Sequence, residues 1–202
     1  MSDHVSLSAL DQFRNAHLRA KVEQIKAALS GKSADLLSYE EIRKKIYAKE
    51  TNRHQLKDIP LDSIVGSVGR YKDFTRQFFP LLEDDEERWA RVLNLSGSMQ
   101  GLPPIEVYQI GDVYFVRDGN HRVSVARAAG LSHIEAYVAE YKTEVPLTAD
   151  DFARDQWLIK VEHAEFQKET GLEDLRSESE VALTEPGRYW ILARHMRCLL
   201  YT

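Results

Sequence analysis

The apolar positions near the start of the chain follow the period of an α-helix. Four large apolar residues recur at intervals of four, three and four, and they are Leu18, Val22, Ile25 and Leu29. Charged residues fill the positions between them, so the pattern predicts an amphipathic helix over residues 5–30 that ends at Gly31. Such a helix packs its apolar line on a core or on a second copy of the chain, and the second role would make the protein a homo-oligomer through its N-terminal helices.

A second helix is predicted from Ser38. Ser38 and Glu41 have the spacing of a capping box. Ile42 and Ile46 then form a narrow apolar line, and acids and bases interleave around and beyond them. This interleaving favours a solvated helix face over a nucleic-acid or lipid patch. Residues 1–56 are therefore predicted to form an N-terminal helical arm.

Alternating apolar positions predict strands in the middle of the chain. Four such runs occur, and they are residues 59–65, 105–110, 113–117 and 134–138. The second and third runs are joined by Gly111 and Asp112, so they predict a β-hairpin. A helix is predicted over 84–95, because acids crowd its first turn.

These elements predict an α/β fold. Residues 57–140 are expected to form a domain with a small mixed sheet, and residues 141–202 a mostly helical annex. Within the annex the pattern predicts a long helix over 148–168, a short strand over 181–183 and a last helix that opens at Thr184.

Length and charge narrow the functional classes. The 202 residues suffice for one substantial domain with a helical annex. The net charge of -5 gives no general attraction to nucleic acid. The chain has one cysteine, Cys198, no pattern of a secretion signal and no apolar run of transmembrane length. We therefore expect a cytoplasmic protein that does not bind membranes.

The segment from Asp118 to Arg122 has the pattern of an anion site. A strand runs into Gly119, and a helix with polar first residues follows. Such a turn leaves backbone N–H groups free for a phosphate, and Arg122 can add bidentate hydrogen bonds. A structural turn has no need of His121 beside Arg122, which favours phosphate or nucleotide binding. Two alternative roles stay open for Asp118. It binds a metal ion or a hydroxyl group, or it caps the N-terminus of the helix.

Other charged residues matter only if they converge on this turn. Arg70 and Arg76 are the best candidates, because they follow the first strand of the same predicted sheet. Alternation places Arg117 on the opposite sheet face from Val116, as a surface charge. Asp73 is either part of a phosphoryl-transfer site or a solvated side chain.

The order of these elements resembles the ParB/sulfiredoxin superfamily. The matching segments read IPLDSI, GRYKDF, GLPPIEVYQIGDVYFVRDGNHRVSVARAAG and IEAYVAEY, and the resemblance covers about residues 57–140. The resemblance implies a small-sheet domain that binds a nucleotide at the glycine turn. Bacterial proteins described as ParB-like nuclease domains have the same DGNHR turn and are also similar over the later LTEPGRY segment.

Two branches of the superfamily differ from this chain at the turn. In sulfiredoxins the turn reads GGCHR and its cysteine is the reactive thiol. Asn120 stands at that position here, so the resemblance does not extend to sulfiredoxin activity, while His121 and Arg122 match residues that bind nucleotide phosphates. In ParB proteins, which bind CTP, the turn reads GERR, and Gly119, Arg122 and Arg70 match. ParB proteins continue into a helix-turn-helix domain, and the annex shows no such pattern.

The archaeal free-serine kinases have a DGHHR turn, which is more similar. This resemblance implies ATP or ADP ahead of CTP, with Mg²⁺, and phosphoryl transfer or nucleotide hydrolysis if the protein is an enzyme. Asp118 would then lie near the metal or the acceptor hydroxyl, and Asp73 would be the catalytic acid after the first strand. The resemblance does not identify the metal ligands. The expected phosphate-binding residues are Gly119, Asn120, His121, Arg122 and Arg70. The alternative function is a DNA-associated ParB-like regulator or nuclease.

Overall fold

The long N-terminal helix turns its small residues, and not its large apolar line, toward the rest of the protein. The computed structural model describes residues 7–31, 33–46, 48–98, 101–172 and 181–200. Four residues on one face of α1 (Leu7–Leu29) are buried, and they are Ala9, Phe13, Ala16 and Ala20. The Phe13 ring packs edge-on against Trp89 of α3 (Glu86–Ser96), with 5.8 Å between ring centroids. The predicted apolar line lies on the exposed side of the helix.

A single mixed sheet forms the centre of the described chain. Its six strands are β1 (Leu37–Ser38), β2 (Lys49–Pro60), β3 (Ile64–Ser67), β4 (Ile105–Ile110), β5 (Val113–Asp118) and β6 (His133–Lys142), in the spatial order β1-β3-β5-β4-β6-β2. Strands β4 and β5 pair antiparallel, which confirms the predicted hairpin. Strand β3 runs parallel to β5, with Ser67 opposite Val116. Because parallel strands end at the same edge of a sheet, the turns after β3 and β5 lie side by side.

Strand β2 corrects the expected N-terminal arm. Helix α2 (Tyr39–Ile46) forms as predicted, but residues 49–56 are extended and belong to β2, which pairs antiparallel with β6. The helix expectation for these residues is wrong. Charged and polar side chains occur on both faces of this edge strand, as is common where a free edge must resist pairing with other chains. Such a strand has no apolar alternation by which it could be recognised.

Helices cover both faces of the sheet. The remaining helices of the described chain are α4 (Asn120–Ala128), α5 (Ala149–Ala153), α6 (Trp157–Thr170) and α7 (Arg188–Leu200). Val116 packs in the same core cluster as Val123 of α4, whereas its neighbour Phe115 points to the other face and packs with Phe152 of α5. This arrangement confirms the predicted fold class, an α/β protein with a small mixed sheet and flanking helices. Among the described residues, every helix is too short or too polar to cross a lipid bilayer.

Two predicted elements are divided in the structure. Residues 59–65 are not one strand, because a 3₁₀ turn over Leu61–Ser63 separates the end of β2 from the start of β3. The long helix expected over 148–168 is divided into α5 and α6, and Asp155 between them has a left-handed backbone with a φ of 56°.

The strand predicted over residues 181–183 does not form. Residues 181–183 are not extended in a sheet, and the Tyr189 hydroxyl binds them instead. It donates a hydrogen bond to Val181 O at 2.7 Å and accepts one from Leu183 N at 3.0 Å. The division into arm, domain and annex stays a prediction, and its first boundary falls inside β2.

Candidate functional site

The turn between β5 and α4 requires a glycine. Gly119 has a φ of 112°, and a Cβ atom at this position would lie 2.6 Å from Ile105 Cγ2. Both the left-handed backbone and the lack of space exclude other residues. Gly119 is the N-cap residue of α4 and offers no side-chain cap, so the first N–H groups of the helix have no intrahelical or capping partner. Together with the helix dipole, these N–H groups favour an anion.

Arg122 ties this turn to the start of β4. Its Nη1 donates hydrogen bonds to Pro103 O at 2.8 Å and to Pro104 O at 2.7 Å, and its Nη2 donates to the carboxylate of Asp118. The side chain of Asp118 is 67% exposed, whereas that of Arg122 is only 15% exposed. Asp118 therefore pairs with Arg122 and does not act as the N-cap of the helix.

Asn120 joins α4 to the turn after β3. Its Oδ1 accepts a hydrogen bond from Ser67 Oγ, and its Nδ2 donates one to Gly69 O, each at 3.0 Å. Both ends of the carboxamide are thus used within the protein. Asn120 positions the backbone of the neighbouring turn, and that turn carries Arg70.

Arg70 is held by two carboxylates and one imidazole. Its Nη2 donates to both oxygens of the buried Asp85, at 2.9 and 2.8 Å, and its Nε donates to Asp73 Oδ2 at 2.5 Å. Its Nη1 donates to His121 Nε2 at 2.9 Å. These bonds, led by the one to Asp85, raise the pKa of Arg70. They also hold a backbone with a φ of 56°, which is unfavourable for a residue other than glycine.

His121 is buried and neutral. Only 5% of the residue is exposed, and burial lowers its pKa to about 4, although the Asp85 carboxylate acts in the opposite direction. Because Nε2 accepts a hydrogen bond from Arg70, the single proton of the neutral ring lies on Nδ1. His121 therefore does not add a positive charge at neutral pH, and it orients Arg70 instead.

A cleft of about 180 Å³ lies beside these residues. Four arginine residues line it, namely Arg70, Arg88, Arg117 and Arg122, together with Asp118 and the turn Gly119–His121. The structure thus brings together every predicted catalytic or phosphate-binding residue except Asp73, which contacts the cleft only through Arg70. Arg76 lies elsewhere and pairs with Asp155 at 2.8 Å. Arg117 is a surface charge, as predicted, but it also reaches the cleft.

Two residues of the site were missed by sequence reasoning. Asp85 anchors Arg70, and Arg88 of α3 lines the cleft with an exposed side chain. Both lie in the acid-rich run DDEER, which indicated only a favourable helix start. Their position beside the turn depends on how α3 packs, and no local pattern carries that information.

Most of the positive charge in the cleft is already balanced. Arg70 pairs with Asp73 and Asp85, Arg122 with Asp118, and Arg117 with Glu106 at 3.4 Å. Within the part of the chain that the structure describes, Arg88 makes no ion pair. The cleft therefore offers an incoming anion the N–H groups of α4 and one uncompensated guanidinium.

The side chains do not fit a protein-bound Mg²⁺ ion. Among the described residues, no group of three or more His, Cys, Asp or Glu side chains is placed to hold a metal. Asp118 bonds to Arg122, and Arg70 already binds Asp73 Oδ2 and both carboxylate oxygens of Asp85.

Comparisons with known proteins give a distant likeness among solved structures. No protein-family model matches the chain, and no curated protein matches it. Among solved structures, the chain is similar to sulfiredoxin from Arabidopsis thaliana, with 16% sequence identity and a TM-score of 0.34. The match covers 50% of this chain and 96% of that chain. A likeness of this size does not establish a family.

Proposed function

We propose that the protein binds a nucleotide through its phosphates in the cleft at the N-terminus of α4. The supporting observation is that four arginine residues line a cleft at a helix N-terminus that begins with a glycine. Backbone N–H groups at helix starts and arginine side chains are the usual partners of phosphate oxygens in proteins. The cleft volume of about 180 Å³ is below the roughly 300 Å³ at which pockets for drug-sized ligands begin. It suits the phosphates and leaves the nucleoside outside.

The residues around the cleft divide into ligand-binding and positioning groups. The N–H groups of α4 and the guanidinium of Arg88 bind the phosphates, because they have no competing partner among the described residues. Arg122 borders the same space and stabilises bound negative charge while it holds the turn. Asn120, His121 and Arg70 position the turn, since their polar atoms bind other protein groups. The preference for an adenine nucleotide over CTP rests only on the resemblance of the DGNHR turn.

Asp118 is the candidate base if the bound nucleotide reacts. Its exposed carboxylate borders the cleft, so it can accept a proton from an attacking hydroxyl or water. Asp73 is a positioning residue in this scheme, because its carboxylate holds Arg70. We expect Asp118→Asn to retain ADP binding and to lose any release of phosphate from ATP. Unchanged phosphate release in this variant would exclude Asp118 as the base.

Isothermal titration of ADP, ATP, CTP and pyrophosphate with two arginine variants tests the proposal. We expect Arg88→Ala to weaken ADP binding at least about tenfold, because a hydrogen bond between charged groups is lost. Arg91→Ala is the matched control, since Arg91 is exposed on the same helix and does not line the cleft. It should bind ADP like the wild type. Absence of binding to the wild type, or equal losses in both variants, would contradict the proposal.

A further inference from the structure

The outer face of α1 carries an exposed apolar stripe formed by Leu18, Val22, Ile25 and Leu29. These side chains are 59%, 43%, 60% and 85% exposed, respectively. The opposite face of α1 packs on the protein through small residues and Phe13, so the place of this helix in the fold does not depend on the stripe. A contiguous row of large apolar side chains in water is typical of an interaction surface.

The spacing of the stripe is that of a coiled-coil seam. Intervals of four, three and four residues place Leu18 and Ile25 at heptad position d, and Val22 and Leu29 at position a. With about 100° between successive residues, the four side chains span only about 60° of the helix surface. A helix that lies on a membrane presents a broader apolar face, about 100° or more. The narrow stripe therefore favours a partner helix over a lipid surface.

The charged side chains of α1 at the heptad positions that flank the stripe all have one sign. Position g is occupied by Arg14 and Lys21, and position e by Arg19 and Lys26, all of them exposed. The described acids of α1 are Asp11, which precedes the stripe, and Glu23, which bonds to Thr75 and Gln77 of the protein body. Arg14 lies 3.5 Å from Asp11 and 3.4 Å from Glu86, and Lys21 lies 3.9 Å from Glu83. Largely exposed pairs of this length contribute little.

These charges disfavour a second copy of the chain as the occupant. In a parallel pair, Lys21 at position g of one helix would face Lys26 at position e of the other. In an antiparallel pair, g faces g and e faces e, so basic residues would again meet basic residues. Charged e and g positions decide which helices pair, and only an acidic partner is complementary here.

We propose that the stripe on α1 binds an acidic amphipathic helix of a partner protein. The partner carries large apolar residues at the same spacing and Glu or Asp beside them. This surface lies on the outer side of α1 and does not involve the cleft at α4, so it can be tested independently of nucleotide binding.

Binding of labelled synthetic helices to the full chain, followed by fluorescence anisotropy, tests this proposal. One peptide has Leu at positions a and d with Glu at e and g; its control has Lys at e and g. We expect the Glu peptide to bind about tenfold more tightly, because four pairs of opposite charge each add a small amount. Leu18→Gln with Ile25→Gln should weaken binding about a hundredfold at an unchanged melting temperature, because both side chains are exposed in the free protein.

Charge reversal gives the sharpest control. Reversal of all four charges, in Arg14→Glu with Arg19→Glu, Lys21→Glu and Lys26→Glu, should reverse the preference, so that the Lys peptide binds more tightly than the Glu peptide. Equal binding of both peptides, or binding of neither, overturns the proposal. A dimer in light scattering that the Leu18 and Ile25 double variant abolishes would assign the stripe to a second copy. Capture by phosphatidylglycerol vesicles without peptide binding would assign it to lipid, and either result overturns the proposal.

Discussion

At the scale of the residue, burial decides what His121 can do. A histidine beside an arginine suggests an anion site with two positive charges. The imidazole of His121, however, packs edge-on against Phe74, with ring centroids 5.2 Å apart, and is nearly inaccessible to water. The neutral ring accepts a hydrogen bond from Arg70 and keeps that guanidinium aligned with Asp85. Of the two adjacent residues, Arg122 therefore carries a positive charge, whereas His121 orients Arg70.

The neutral state of His121 predicts a pH dependence of stability. Its pKa is about 4 in the folded protein and about 6.5 in the unfolded chain, so the unfolded chain binds more protons between these values. Stability should therefore fall as the pH drops from about 6.5 toward about 4, by up to roughly 3 kcal/mol. Urea unfolding at about pH 7, 5.5 and 4.5 measures this loss.

The same experiment with His121→Gln isolates the histidine from other titrating groups. Glutamine can accept the bond from Arg70 but does not titrate, so the variant should lose less stability on acidification than the wild type. His133→Gln, at an exposed position, should keep the wild-type slope. Parallel curves for the wild type and His121→Gln would show that His121 does not titrate as described.

At the scale of the element, sequence patterns predicted the local structure correctly where only one local structure produces the pattern. The hairpin of β4 and β5 and the glycine turn into α4 were predictable, because alternation joined by Gly111 has few other solutions. The role of the α1 stripe was not predictable, since the spacing of an apolar line is the same whether a core or a partner covers it. Strand β2 was missed because polar residues on both faces give no period.

The start of α4 should depend strongly on Gly119. Gly119→Ala forces a side chain into a φ of 112° and against Ile105, so it should destabilise the protein by more than about 1 kcal/mol. Gly97→Ala is the control, because Gly97 has a φ of -83° and the nearest atom to an added Cβ is 3.8 Å away. Its free energy of unfolding in urea should change little. Equal effects of the two substitutions would mean that the Gly119 turn is not constrained.

At the scale of the whole molecule, the cleft is assembled by contacts between distant segments. Arg70, Arg88, Arg117 and Arg122 come from the loop after β3, from α3, from β5 and from α4. Trp89 Nε1 donates to Ser124 Oγ at 2.9 Å inside the protein, and this bond fixes α3 against α4. The consecutive residues of the turn were predictable from the sequence. Asp85 and Arg88 were not, because only the packing around Trp89 brings them to the turn.

Net charge separates nucleotide binding from the alternative of a DNA-associated protein. The chain carries a net charge of -5, and the arginines of the cleft are largely balanced by acids, so we expect no retention of duplex DNA. Gel-shift assays with a labelled duplex between about 50 and about 200 mM salt measure this directly, because DNA binding that neutralises several phosphates weakens steeply over that range. Added duplex should also leave the ADP affinity in calorimetry unchanged. A shifted band at low salt that disappears at high salt, together with competition between duplex and ADP, would instead mean that the cleft binds the DNA backbone.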